Sequence, residues 1–185
     1  MALTLTTITE LVRYIVQDFA RTASDIFTYE NSSIFTLSEP NIVSVSDVGI
    51  NDVTSGTTYS YSSATNQVTV SGASAGDTVE VFYSYYSNYT DTEIEGYIRA
   101  ALGYISINRY ADYQVLNSSV YPTPPEADKN LIAMVASILI EPDNKTYRLP
   151  DMSISVPFRS LLTPDRIAKT ISIFKRDCHG IFEIL

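Results

Sequence analysis

The sequence has few of the residues that build metal centres and nucleophilic sites: its 185 residues include one cysteine, one histidine and no tryptophan. Cys178 is alone and cannot form an internal disulfide, so we expect the protein to be made and folded in a reducing cytoplasm. Zinc sites need clustered cysteine and histidine, and a nucleophilic cysteine or serine needs a histidine base. Cys178 and His179 are adjacent near the end of a predicted helix, where neighbouring side chains point in different directions. We therefore expect both to be structural.

Positive charge is absent from a long stretch of the chain. No lysine or arginine occurs between Ile26 and Ile98, and the acidic residues of that stretch alone account for the net charge of -9. These residues are Glu30, Glu39, Asp47, Asp52, Asp77, Glu80, Asp91, Glu93 and Glu95. Tight binding to nucleic acid requires lysine and arginine to neutralise phosphates. The first half of the chain is therefore excluded as a nucleic-acid-binding domain and should repel DNA.

Motifs for membranes, nucleotides and metals are also missing. No run of about twenty apolar residues could span a bilayer, and the N-terminus lacks the basic region of a signal peptide. The glycine-containing stretch Gly72–Gly76 lacks the lysine of a phosphate-binding loop. Asp91, Glu93 and Glu95 could form a metal cluster, but the start of a helix, where the dipole favours negative charge, explains them better. We therefore expect no membrane association, no cofactor and no enzyme activity.

The clearest element that is present is a long amphipathic helix, predicted over Thr90–Tyr110. Thr90 and Glu93, or equally Thr92 and Glu95, have the spacing of a capping box. The apolar residues recur at three- and four-residue steps and so fall on one face, which comprises Ile94, Ile98, Ala101, Leu102 and Ile105. This helix joins a β-rich segment before it to a second helical segment after it.

Three more helices are predicted. The first covers Thr7–Ala23, opens with a capping box at Thr7 and has an apolar stripe of Ile8, Leu11, Val12, Ile15 and Phe19. The second covers Pro124–Ile140 after an N-cap at Thr123. Because it is apolar nearly all round, we expect it to be buried all round, with neighbouring subunits helping to cover it. The last helix opens at Thr163 and precedes an apolar tail.

Between the first two helices the composition changes to β-branched and aromatic residues punctuated by serine, asparagine and glycine, which is typical of strands and turns. We predict strands over Ile34–Leu37, Ile42–Val48, Thr58–Ser62, Gln67–Val70 and Val79–Tyr86. The predicted fold class is α+β, a bundle of about four helices with an antiparallel β-sheet or small barrel inserted between helix 1 and helix 2. Residues 1–25 and 90–185 would form the helical core, and residues 26–89 the inserted β domain.

The last predicted strand is aromatic on both faces. Alternation places Val79, Val81, Tyr83 and Tyr85 on one face and Glu80, Phe82, Ser84 and Tyr86 on the other. Tyrosines here could form a sugar-binding platform, but the commoner role of tyrosine on a sheet is packing and protein contact. We therefore predict a protein interface at Phe82, Tyr83, Tyr85 and Tyr86. Binding of a carbohydrate or host surface is the alternative.

The order of these parts resembles the head-to-tail adaptor proteins of tailed bacteriophages, also called connector or head-completion proteins. An N-terminal helix is followed by an acidic β segment with the phrases IFTLSEPNIVSVSDV and NQVTVSGASAGDTVEVFYSYY, then by a long helix opening TDTEIEGYIRAALGYISINRY and a further helical pair. The resemblance covers most of the chain and rests on architecture and composition. It implies a dodecameric ring in the neck of the virion, beneath the portal protein, through which DNA passes without specific binding during packaging and ejection.

The resemblance also implies roles for individual residues. Subunit contacts are expected along the helix stripes, at Ile8, Leu11, Ile15, Ile94, Ile98, Leu102 and Ile105. Portal docking is expected from the last helix and the tail, at Arg166, Lys169, Lys175, Arg176, Ile181, Phe182, Ile184 and Leu185. The far side of the ring would receive a downstream neck or tail protein. A tail-completion or baseplate component is the alternative within the virion, because it too needs interfaces and no active site.

Overall fold

The computed structural model describes residues 3–54, 57–108, 110–142, 146–148, 153–155 and 163–179, with the backbone alone described at 146–148, 153–155 and 176–179. The described chain is α+β, with four helices and small antiparallel sheets. It divides into two compact units. Met1–Asp18 and Thr90–Leu185 form the helical unit, and Phe19–Tyr89 form the β unit.

Four helices make up most of the helical unit: α1 (Leu5–Val16), α2 (Asp91–Ile107), α3 (Glu126–Ile140) and α4 (Thr163–His179). Helix α3 packs against each of the other three. Two antiparallel strand pairs also occur here, β7 (Gln114–Leu116) with β8 (Ser119–Tyr121) and β9 (Thr146–Arg148) with β10 (Ser153–Ser155). Strands therefore also occur outside the segment between the first two helices, where the predicted sheet or barrel was placed.

Helix α1 differs from its prediction at both ends. It begins at Leu5, because the hydroxyl of Thr4, not that of Thr7, accepts the capping hydrogen bond from the backbone. It ends at Val16, where Gln17 adopts a left-handed conformation with φ 59°. Phe19 was predicted to lie in the apolar stripe, but it is 55% exposed and follows the end of the helix. The predicted helix over Thr7–Ala23 is therefore wrong beyond Val16.

Helix α2 begins as predicted. The amide of Glu93 donates to the hydroxyl of Thr90 at 3.1 Å, and the amide of Thr90 donates to the carboxylate of Glu93 at 2.8 Å, which completes the capping box. The backbone bond of Thr90 is the largest of the causes that lower the pKa of Glu93. The helix ends at Ile107 rather than Tyr110. All five residues of the predicted stripe are buried.

Helix α3 is covered by its own chain. Pro125 occupies the N-cap position without a side-chain capping bond, so the cap predicted at Thr123 is not formed. Every residue from Leu131 to Ile138 is buried within the single chain. Its apolar composition is therefore explained by packing inside the subunit, and neighbouring subunits are not needed to cover it.

The β unit consists of six strands: β1 (Arg21–Thr28), β2 (Ile34–Thr36), β3 (Ile42–Ile50), β4 (Thr58–Ser62), β5 (Gln67–Ser71) and β6 (Thr78–Tyr85). They form two antiparallel three-stranded sheets, with strand orders β1-β6-β3 and β2-β5-β4. Both sheets contribute to one core of Phe35, Leu37, Val48, Val68, Val70, Val79, Val81 and Tyr83. Within the described β unit, β1 is the strand that the sequence analysis missed, since its first residues were assigned to the first helix.

Candidate interaction surfaces

The helix stripes predicted to form subunit contacts lie inside the subunit. Six of the seven residues, Ile8, Ile15, Ile94, Ile98, Leu102 and Ile105, are at most 4% exposed, and Leu11 is partly exposed. A side chain that is already buried by its own chain adds no area to a contact with another copy. Subunit contacts through these helices would therefore have to use their other faces.

One such face runs along α2. Gly96, Ala100, Gly103 and Ile107 follow one another at helical spacing, and all four are exposed. An added Cβ at Gly96 or Gly103 would meet no neighbouring atom within 4 Å, so no packing contact of the described chain requires glycine at either position. Ile107 is 78% exposed, the highest value among the exposed large apolar residues. We call these four residues the open face of α2.

Arg13 connects the two points where the chain leaves and re-enters the helical unit. Its buried guanidinium forms ion pairs with Asp18, the last residue before the β unit, and with Asp91, 2.8 Å away at the start of α2. The carboxylate of Asp18 is fully buried, whereas that of Asp91 is 72% exposed. Loss of Arg13 would therefore leave the carboxylate of Asp18 buried without its cation, whereas that of Asp91 would remain in contact with solvent.

A second buried carboxylate organises the start of α3. Asp128 accepts hydrogen bonds from the hydroxyl of Tyr110, at 2.7 Å, and from the hydroxyl of Tyr113. Burial raises the pKa of Tyr113, and the hydrogen bond to Asp128 and its negative charge raise it further. Lys175 lies 6.0 Å from the ring centre of Tyr110 and donates to the carbonyl of Asn108. These contacts join the end of α2, the start of α3 and α4, so they are structural.

The residues predicted to dock on the portal are split between core and surface. Arg166 is buried, and Ile167, Ile171 and Phe174 are buried beside it as the inner face of α4. Lys169 and Lys175 are exposed. The side chain of Arg176 and residues Ile181, Phe182, Ile184 and Leu185 lie outside the described part of the chain, as do the side chains of Cys178 and His179.

The aromatic residues of β6 are divided between its two faces as the alternation predicted. Tyr83 is 1% exposed, and its hydroxyl lies within hydrogen-bonding distance of Asp25, at 3.1 Å, and Ser38, at 3.2 Å. Burial is the main cause of its raised pKa. Tyr85 lies on the same inner face, with its ring 6.2 Å from that of Tyr83. The predicted interface role of Tyr83 is therefore wrong, because a side chain inside the core cannot contact a partner. For the same reason Tyr83 cannot stack on a sugar.

The outer face of sheet β1-β6-β3 holds a compact group of four side chains. Phe82 is partly exposed and lies opposite Asp47, whereas Ile26 is 67% exposed and lies opposite Glu80. Phe82 and Glu80 are two residues apart on the central strand β6, so the four side chains lie on one face, with Ile26 and Asp47 on the two strands that flank β6. We call Ile26, Asp47, Glu80 and Phe82 the outer patch. The sequence analysis found Phe82 but missed Ile26, because it did not recognise β1. Tyr86, also predicted here, is partly exposed like Phe82 but follows the end of β6.

Metal sites and membrane-spanning helices are two further features that the described residues could have formed. Among the described residues, no group of three or more histidine, cysteine, aspartate or glutamate side chains could hold a metal ion. None of the described helices combines the length and the hydropathy that a membrane crossing requires. In comparisons with known proteins, no family model and no curated protein sequence matches the chain.

Proposed function

We propose that the chain is a structural virion protein of a tailed bacteriophage. In this proposal it is a head-to-tail adaptor that forms a ring, of twelve copies by the resemblance, beneath the portal protein. The ring joins the portal to the next neck or tail component and leaves a channel for DNA. Its helical unit is a four-helix adaptor core, and its β unit is a module inserted between α1 and α2.

The observation that carries this proposal is the separation of charge between the units. The β unit holds seven carboxylates and one guanidinium, that of Arg21. Among the described residues, all ion pairs belong to the helical unit, so the carboxylates of the β unit are not neutralised internally. An acidic surface repels the phosphates of DNA and lets a duplex pass without adhering. This is the property that the wall or rim of a DNA conduit needs.

The open face of α2 is the place we propose for the contact between subunits. Glycine in the middle of a helix costs about 1 kcal/mol relative to alanine, and α2 carries two that no described contact explains. A helix from a neighbouring subunit could approach this face closely, with Ile107 contributing apolar area at one end. The contact would thus use the side of α2 opposite to the stripe first assigned to it.

Sedimentation velocity on purified protein tests the contact. Wild-type protein should form a discrete large species as its concentration rises, and Gly103→Leu should reduce that species by about tenfold or more, since the added side chain stands between the helices. Thr6→Leu, which adds a similar side chain at an exposed position of α1, is the matched control and should assemble normally. Assembly of Gly103→Leu at the wild-type level would exclude this face.

A tail-completion or baseplate component is the competing function. It shares the need for protein interfaces, and the shape of the assembly distinguishes the two, because an adaptor must have an open centre. The carbohydrate-binding alternative is less well supported than the sequence suggested, since Tyr83 is buried in the core of the β unit.

A further inference from the structure

We infer that the outer patch of the β unit is a docking surface for a basic, apolar segment of another protein. The patch combines two apolar side chains with two carboxylates. Ile26 is paired with Glu80 on the neighbouring strand, and Phe82 is paired with Asp47. It is flanked by exposed hydroxyl residues, Thr22 and Ser24 on β1 and Ser44 and Ser46 on β3. A sheet face that combines apolar area with negative charge is suited to protein contact.

The carboxylates of the patch lack a cation within the described chain. Among the described residues, the carboxylate of Glu80 has no ion pair and no side-chain hydrogen bond, although Glu80 is partly buried. The carboxylate of Asp47 accepts a hydrogen bond from the amide of Val48, at 2.8 Å, and has no ion pair with a described residue. The single arginine of the β unit, Arg21, pairs with Tyr85 at the far end of β1. A cation supplied by another molecule could therefore pair with Glu80 and Asp47.

Charge also decides among the possible occupants. A second copy of the same face would place Glu80 and Asp47 against like charges, which costs affinity. Nucleic acid and anionic lipid would be repelled for the same reason. A sugar would find one aromatic ring, Phe82, where stacking sites commonly use more. A protein segment with lysine or arginine between apolar residues satisfies both the apolar side chains and the carboxylates.

The patch gives the proposed adaptor a second contact surface, separate from the open face of α2. Assigning its partner to the virion neck rests on the proposed function. The chemistry of the patch does not, because it follows from the β unit alone. The outcome of a peptide-binding test on the full chain is therefore independent of whether the chain forms a ring.

The test uses two short synthetic peptides, one alternating lysine with leucine and phenylalanine, the other identical except for glutamate in place of lysine. Binding to the full chain is followed by NMR shifts of the backbone amides, with the Gly103→Leu protein used if the wild type assembles. The lysine peptide should shift the amide resonances of residues around Ile26, Asp47, Glu80 and Phe82, and added salt should weaken its binding. The glutamate peptide should not bind.

Substitutions within the patch give the decisive comparison. Phe82→Ser and Glu80→Gln should each lower the affinity for the lysine peptide by about fivefold or more. Glu30→Gln removes the same charge from an exposed position between β1 and β2, and Val53→Ser removes an exposed apolar side chain of the same unit. Both controls should bind as the wild type does. Circular dichroism verifies that each variant is folded.

The binding experiments would overturn the inference if the two peptides bound equally or if the shifts mapped elsewhere. Equal losses in the Glu30→Gln or Val53→Ser controls, or binding that persists in Phe82→Ser, would overturn it as well. Self-association abolished by Ile26→Ser would show that a second copy is the occupant, and glycan binding abolished by Phe82→Ser would show a sugar. Either would replace the basic protein segment proposed here.

Discussion

Arg13 is the residue whose loss should damage the helical unit most. Arg13→Met would leave the carboxylate of Asp18 buried without its cation, which should lower the free energy of unfolding by about 3–5 kcal/mol. Asp91→Asn should cost about 1 kcal/mol or less, because that carboxylate is 72% exposed and its ion pair is screened by solvent. Urea denaturation of the two variants measures the difference. Equal losses would show that the buried pair does not carry the stability.

The hydrogen bond from Tyr113 to Asp128 should make stability depend on alkaline pH. The pKa of Tyr113 is raised in the folded protein, chiefly by burial and then by Asp128. A raised pKa means that its contribution is complete below the pKa of the unfolded chain, about 10, and is lost as the pH rises towards the folded value. Tyr113→Phe should cost about 1.5–3 kcal/mol near neutral pH.

The loss caused by Tyr113→Phe should shrink as the pH rises above about 10, since the wild type loses the same contribution. Urea denaturation of both proteins across this range measures it, and ultraviolet titration of tyrosinate should show one fewer late-titrating group in the variant. Tyr61 and Tyr83 also have raised pKa values and also titrate late. The contribution of Tyr113 is therefore taken as the difference between the wild type and Tyr113→Phe. A loss independent of pH would contradict the assignment.

At the scale of the element, the glycines of α2 give a prediction with an unusual sign. Gly96→Ala and Gly103→Ala should each stabilise the isolated subunit by about 0.5–1 kcal/mol, because alanine loses less backbone entropy in a helix and its Cβ meets open space. Gly76→Ala should instead destabilise, since Gly76 has a φ of +91°. Thermal unfolding measures all three. Destabilisation at Gly96 or Gly103 would mean that the face is covered within the subunit.

Elements with local signals were predictable from the sequence. Helix α2 shows this best, since its capping box and its apolar stripe both lie within the helix and both occur as predicted. The end of α1 and the existence of β1 were not predictable in this way. Strand β1 is defined by its pairing with β6, from Arg21 opposite Tyr85 to Thr28 opposite Thr78. Polar Asp25 lies opposite Val81 on the inner face and apolar Ile26 opposite Glu80 on the outer face, so β1 lacks the alternation that identified β6.

The same limit applies to the candidate surfaces. Alternation correctly separated Tyr83 from Phe82, but it could not tell which face of β6 meets the core. The second sheet decides that, because Phe35 and Val68 pack against the face that carries Tyr83. The helix stripes were likewise recognised correctly as apolar faces, and their burial depends on α3 packing against its neighbours.

In the whole molecule, the proposed function divides between the two units. The helical unit has a buried core and offers the open face of α2 as the proposed assembly contact, and the β unit has an acidic surface with the outer patch. Because the apolar residues of α3 are buried inside the subunit, any assembly would have to use exposed surfaces. The subunit should therefore remain folded as a monomer when assembly is blocked. Circular dichroism of Gly103→Leu measures this, and loss of helical signal with loss of assembly would contradict it.

Electron microscopy of the purified wild-type protein can show whether the chain forms a ring. We expect closed rings with an open centre wide enough for a DNA duplex, seen without added partners or on mixing with a portal protein. A protein that stays a compact monomer at high concentration and does not bind a portal, or that assembles into particles without a central opening, would contradict it.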